Sequence, residues 1–186
     1  MYNILIVNQK GGVGKTTIAD ELAFALERRD YDVVFQNLDN QGGAVHQPSM
    51  ADGTEDYAVI DTPGSLNKDL SKWAKAADVI LMPTHCSNLD LIPLLRCWDI
   101  VRDSGTKAKV AIIVNKYDER RRADQDFMKF LKNAEMPIWA TLPQATAFVQ
   151  ANAYAQSVYD LDENSKATKS IEALTDRVIK ELEDEQ

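Results

Sequence analysis

At 186 residues, with 45% hydrophobic and 27% charged side chains, the chain has the size and composition of one globular unit, and residues 1–186 are read as a single domain. A formal net charge of −8 argues against nucleic-acid binding by bulk electrostatics, and two cysteines with no CxxC pair argue against a disulfide framework or a clustered-cysteine metal site. No apolar run is long enough to span a membrane and no signal segment precedes the first apolar run, so a cytoplasmic location is expected, with Cys86 and Cys97 as buried thiols and with His46 and His85 too isolated in sequence to bind metal.

In chain order, residues 2–8 form a short apolar run suited to a buried parallel strand, and from residue 17 to 29 Ile18, Leu22, Ala25 and Leu26 share one helical face. Between them Gln9 to Thr17 read Gln-Lys-Gly-Gly-Val-Gly-Lys-Thr-Thr. Strand, glycine-rich loop and helix make up the context of a phosphate-binding loop, whose backbone N–H groups point at phosphate while Lys15 supplies charge and Thr16 a hydroxyl for Mg²⁺. Lys10 is a second lysine in the same loop. Two like charges so close repel unless a polyanion lies between them, so the pair itself implies bound phosphate.

Further strands are expected at Val33–Asn37 and at 58–61, 79–82, 110–115 and 137–140, with helices at 89–102, 124–132 and 165–183. The last helix places Ile171, Leu174, Val178 and Leu182 on one face. Gly42, Gly43, Pro48 and Gly53 mark an irregular connection after the second strand. Short strands alternating with helices predict an α/β fold, a doubly wound and mostly parallel sheet with helices on both faces.

Ligands in such sheets bind at the carboxyl ends of the strands. The third strand ends Ile-Asp-Thr-Pro-Gly, placing Asp61 where a carboxylate can hold Mg²⁺ through water and Gly64 where a bare backbone amide can approach a γ-phosphate. Residues 114–118 read Val-Asn-Lys-Tyr-Asp, which fits the Asn-Lys-x-Asp guanine-recognition pattern, and Asp61 to Gly64 also fits Asp-x-x-Gly, so GTP stays open on these motifs alone.

Gln9 stands where the common G-x-x-x-x-G-K-[ST] loop has glycine, and Lys10 to Thr17 instead fit K-G-G-x-G-K-[ST]-T. With Asn8-Gln9 before this loop, Asp39 and Gln41 after the second strand, Pro83-Thr84, Leu89-Asp90-Leu91, Leu142-Pro143 and Ser157-Val158, the chain resembles the ParA/MinD family of deviant Walker A ATPases, and most of all its plasmid and chromosome partition branch. The resemblance implies that ATP and Mg²⁺ are bound, with Gly11, Gly12, Val13, Gly14, Lys15, Thr16 and Thr17 around the phosphates and Thr16 and Asp61 on the metal. Asn115 would contact adenine and the segment beginning at Pro143 would lie over it. Lys10, Lys15 and Asp39 would be catalytic, Lys10 reaching into the partner's nucleotide and Asp39 orienting the attacking water. The resemblance further implies a homodimer on ATP binding, non-specific DNA binding, a centromere-binding (ParB-like) adaptor and association with the nucleoid. Lys10, Asp39 and the lack of a Ser-Ala-Lys motif favour ATP over GTP. The alternatives are a GTP switch acting through protein partners and a ParA-like ATPase positioning a cargo other than DNA.

Three departures stand out. Asn37 and Asn40 replace an Asp and a Pro of the family pattern, and the stretch from Asp39 to Asp61 is shorter than usual, where relatives commonly carry a helix. The run Arg120-Arg121-Arg122 precedes a helix start, where cations oppose the macrodipole; it reads as a solvated loop, with an anion or DNA contact as the alternative. Trp73, Trp98 and Trp139 are expected in the core or a subunit interface. The acidic end, 181–186, lacks the basic amphipathic helix that anchors MinD-type proteins, so no membrane partner is expected.

Overall fold

Six strands hydrogen-bond into one sheet in a computed structural model that describes residues 1–39, 43–64 and 69–183. They are β1 (Tyr2–Ile6), β2 (Val33–Asn37), β3 (Tyr57–Asp61), β4 (Val79–Thr84), β5 (Lys109–Tyr117) and β6 (Ile138–Pro143). Their order is β2-β3-β1-β4-β5-β6, and every pairing is parallel. Alternate residues face opposite sides: Ile4 and Ile6 of β1 pack into one core while Leu5 and Val7 pack into the other. Helices cover both sides, as a parallel sheet requires. On one lie α1 (Lys15–Glu27), α5 (Thr146–Ala153), α6 (Val158–Leu161) and α7 (Lys166–Glu183); on the other lie α2 (Leu70–Ala76), α3 (Asn88–Asp103) and α4 (Arg122–Asn133).

The strand and long-helix expectations hold to within a few residues, and the expected face of α7 is buried at all four positions. The first strand ends earlier than expected, at Ile6, although Val7 still donates its N–H to Leu81. Helix α1 begins at Lys15 because Gly14 takes a left-handed φ of 97° and turns the chain out of the loop. Helices α2, α5 and α6 were not foreseen. They have seven, eight and four residues, too few turns for an apolar period to show. Ser157, expected only as part of a family-like pair, starts α6 through a reciprocal capping box with Asp160.

One expectation, that for Cys86, needs correction, and two others gain detail. The tryptophans are half-buried: Trp73 and Trp98 pack at the edge of the core beneath α2–α4, and Trp139 lies under the Arg177 guanidinium, 5.7 Å from its ring centre. Cys97 is fully buried, but Cys86 is only partly so because it lies in the turn leading into α3. His46 is not isolated, since the fold sets it against Asp20 and Glu27.

Strand β1 sits at the centre of the sheet. Its connection leads toward β2, whereas that of β4 leads toward β5, so the crevice beyond their carboxyl ends is the switch point at which such sheets bind ligands.

Candidate functional site

The glycine-rich loop leaves β1 into this crevice. Asn8, fully buried, donates its amide to the Pro83 carbonyl at 2.7 Å and accepts the Lys10 N–H at 2.9 Å. The loop is thereby tied to the end of β4 before it turns. Gly12 and Gly14 take left-handed conformations, and a Cβ on Gly14 would come within 2.3 Å of the Asn115 amide nitrogen. Glycine is required at 14 on both counts. A Cβ on Gly64 would lie 3.5 Å from the Gln9 carbonyl oxygen and the Gly11 nitrogen, so the chain after β3 borders the loop.

The charged side chains follow from this frame. Lys15 is 7% exposed and donates to the Lys10 carbonyl at 3.2 Å. Burial lowers its pKa, against the opposing pull of Asp61 and Asp39. The Lys10 ammonium, half-buried, has no hydrogen bond or ion pair among the described residues. Asp61 is wholly buried; one carboxylate oxygen accepts the Thr16 hydroxyl at 2.6 Å and the other has no partner among the described residues. Burial pushes its pKa up to about 6, while the Thr16 hydrogen bond and Lys15 oppose the rise. A buried carboxylate with an unpaired oxygen beside a threonine hydroxyl and a lysine suits a hard divalent cation such as Mg²⁺, which would replace the missing partner.

Gly11, Gly12, Gly14, Lys15, Thr16, Thr17, Asp39 and Gly64 surround a cavity of about 650 Å³. Asn37, one of the departures from the family pattern, uses its side-chain amide oxygen Oδ1 to accept the Asp39 N–H at 2.8 Å, an Asx turn that fixes the chain at Asp39 beside the loop. Gln41 and Asn40, which entered the reading of this signature, lie outside the described residues.

A second cavity, about 520 Å³, adjoins the same loop. Gly12, Gly14, Thr16 and Thr17 form one side, and Asn115, Pro143, Phe148, Val149, Gly43 and Asn152 form the others. The Asn115 amide is engaged at both ends: its NH₂ donates to the Val13 carbonyl at 2.9 Å, and its oxygen accepts the Lys116 N–H. Asn115 therefore braces the phosphate loop as well as lining the cavity. Val13 is buried, lines neither cavity, and has its carbonyl engaged by Asn115.

Asp118, the residue that would read guanine, is not among the groups lining either cavity. It borders an adjoining cleft with Arg120, Arg121 and Lys166, which shares Leu142, Pro143 and Gln144 with the 520 Å³ cavity, and Arg120 holds it through two 2.9 Å contacts that depress its pKa to about 2. Arg122 pairs with Asp126 on the first turns of α4. The arginine run is thus largely neutralised locally.

The sequence reading missed Asn8 as a brace and the adjacent buried pair Asp20 and Glu21 on α1. Glu21 accepts the Val158 N–H through both oxygens at 3.1 Å and holds α6 against α1. Two acidic residues side by side within the apolar pattern of α1 were the available signal.

Among the described residues no helix is long and apolar enough to cross a membrane. Residues 4–158 match the family model described as the CobQ/CobB/MinD/ParA nucleotide binding domain. Two curated relatives are both named maintenance of carboxysome distribution protein A. That of Halothiobacillus neapolitanus is 24% identical over 84% of this chain and 85% of its own length. That of Gloeobacter kilaueensis is 27% identical over 97% and 93%. Among solved structures, a putative plasmid partition protein from Borrelia burgdorferi B31 bound to AMPPNP superposes with a TM-score of 0.79 at 17% identity, covering 96% of this chain and 98% of that one. With its sheet order, its phosphate loop and the family model all in accord, the chain belongs to the CobQ/CobB/MinD/ParA nucleotide-binding family, whose ParA/MinD members are nucleotide-binding ATPases.

Proposed function

We propose that this protein is a ParA-like ATPase that dimerises on ATP and distributes a cargo other than DNA. The observation that carries the reading is the set at the 650 Å³ cavity, where Lys15, Thr16 and Asp39 line the space and buried Asp61 stands behind Thr16, while the Lys10 ammonium has no partner among the described residues. An unpartnered lysine at the start of this loop suits a charge that is completed by the phosphates of a second subunit. The loop amides from Gly11 to Thr17 and Lys15 would hold the phosphates, with Mg²⁺ at Thr16 and Asp61 supplying charge neutralisation there. Asp39 would orient water, and Lys10 would act across the dimer as an arginine finger does, a contribution on the order of 10³–10⁵ in rate. Asn115 and the segment from Pro143 would hold adenine, and the position of Asp118 outside the cavity supports ATP over GTP.

The cargo reading is supported by the two relatives named for carboxysome distribution, which cover most of this chain, whereas the partition-protein likeness supports the fold alone. Chromosome or plasmid segregation with a ParB-like adaptor, the first choice from sequence, gives way on this balance to a protein adaptor carried by the cargo. Non-specific DNA, in the cytoplasm at the nucleoid, would serve as the matrix on which the dimer moves.

The test is the solution mass of Asp39→Ala with Mg-ATP, Mg-GTP or Mg-ADP. A dimer with ATP alone, abolished by adding Lys10→Ala, is the expected result. A GTP-specific dimer, or one mass under all three, would refute the mechanism. Salt-sensitive retention on random duplex DNA only with ATP would then establish the matrix.

A further inference from the structure

Between β2 and β3, where the family resemblance leads one to expect a helix, the described residues 43–56 contain none. A side-chain cluster holds the start of this connection instead. One oxygen of Asp20 accepts the Val45 N–H at 2.9 Å; the other accepts the His46 N–H at 3.0 Å and lies 2.9 Å from Nδ1 of the His46 ring. The far ring nitrogen, Nε2, is 3.3 Å from Glu27. The ring itself sits between Phe24 and Phe35, with centroids 4.2 and 5.2 Å away, and its side chain is only 12% exposed.

This cluster reaches the nucleotide cavity within three residues. The Gly43 carbonyl accepts the Asn152 amide at 2.9 Å, and both residues line the 520 Å³ cavity opposite Thr16 and Thr17. Helix α1 thus carries the cavity floor in its first turn and, further along, Asp20, Phe24 and Glu27, which grip the segment forming the facing wall. We propose that His46 is a positioning residue for the nucleotide, latching residues 43–46 to α1 through Asp20 so that Gly43 and Asn152 close the wall of the nucleotide cavity. This assignment rests on the ATPase reading for its ligand, and on these contacts for its geometry.

The latch is sensitive to pH. Nδ1 and Nε2 both donate only in the imidazolium, so the bonds to Asp20 and Glu27 coexist only when the ring is charged. Burial alone would favour the neutral ring, but the hydrogen bonds and charges of Asp20 and Glu27 outweigh it and raise the pKa above the usual 6.5. The charged groups facing the ring are these two on α1; β2 presents Phe35, and α5 reaches the segment through the neutral Asn152 amide. The Glu27 bond is therefore complete below pH 6.5 and lost as pH rises through the elevated value.

Two measurements on the full chain test this: affinity for a fluorescent ATP analogue with KM and kcat across pH 5.5–8.5, and amide exchange of Val45 and His46. The affinity of wild type relative to His46→Phe should fall about five- to tenfold from the acid to the alkaline end, the worth of one charge-assisted hydrogen bond, the ratio cancelling the titration of Asp61 and Glu21 in the same window. His46→Phe, which keeps the ring between Phe24 and Phe35, should bind more weakly than wild type, most of all at acid pH, and raise KM more than it lowers kcat. Asn152→Ala should raise KM while leaving exchange at Val45 and His46 protected. A His46→Phe variant with wild-type affinity and the wild-type pH profile overturns the proposal. If wild type binds no ATP at any pH, the ATPase reading fails. Exchange still judges the latch in that case: faster exchange in His46→Phe supports it, and unchanged exchange sinks it.

Discussion

The two ends of the nucleotide crevice are built in different ways. Around the 650 Å³ cavity, most of the groups come from one unbroken stretch, Gly11 to Thr17, joined by Leu38 and Asp39 after β2 and by Pro63 and Gly64 after β3. At the other cavity, the wall is drawn from α1, the connection after β2, the end of β5, and the β6–α5 segment, held together by contacts that span up to 109 residues. Local sequence can encode the first because backbone conformation and neighbouring side chains do the work. The second exists only once the chain has folded, and depends on buried carboxylates reaching amides on remote segments.

That contrast can be broken most strongly at Lys10. Lys10→Ala should cut turnover by about 10³-fold or more while each monomer still binds ATP, as read by phosphate release beside equilibrium binding. A loss of affinity equal to the loss of rate would mean that Lys10 serves its own subunit, and the phosphate end would then be complete within one chain.

Gly14→Ala tests the local frame. It forces a side chain into a left-handed backbone, a cost of about 1–2 kcal/mol, and drives its Cβ into the Asn115 amide 2.3 Å away. Calorimetry should show a lower melting temperature together with loss of ATP binding; an unchanged melt would show that the loop relaxes without cost.

The remote end is better probed through Glu21. Burial raises its pKa from 4.5 to about 7, with the Val158 N–H and Arg28 opposing and Asp20 adding to the rise. The folded state therefore holds a proton that the unfolded chain releases. Its stabilising contribution is full below pH 4.5 and is lost as pH rises through about 7. Glu21→Gln keeps an acceptor for Val158 and should be more stable than wild type at pH 8 by about 2 kcal/mol, a gain that shrinks toward pH 5. Denaturation at both pH values checks it, and equal stability throughout would show that Glu21 is not strained by burial.

The smallest effect joins the two ends. Asn115→Ala removes the brace on the Val13 carbonyl and should weaken ATP binding about tenfold by titration calorimetry, near the value of one hydrogen bond. No change would leave Asn115 outside the binding energetics altogether.

The sequence alone was enough for the fold class and the glycine-rich loop between β1 and α1, and it set Asp39 and Asp61 near strand ends beside that loop, because strand and helix periods and a glycine-dependent turn are local properties. It suggested guanine recognition through Asp118 with equal local force, and only the turn after β5, which hands Asp118 to Arg120 in an adjoining cleft, decided where that carboxylate lies. Asn37 read as a lost charge, yet in place it fixes the chain at Asp39 by accepting its N–H. His46 read as isolated because its carboxylates lie 19 and 26 residues back in the chain; the packing of the β2–β3 connection on α1 brings them together. Sequence therefore determined which chemical groups were present and the phosphate loop that contiguous residues could shape. Tertiary structure decided which distant groups meet, since burial and long-range hydrogen bonds have no periodic signature along a chain.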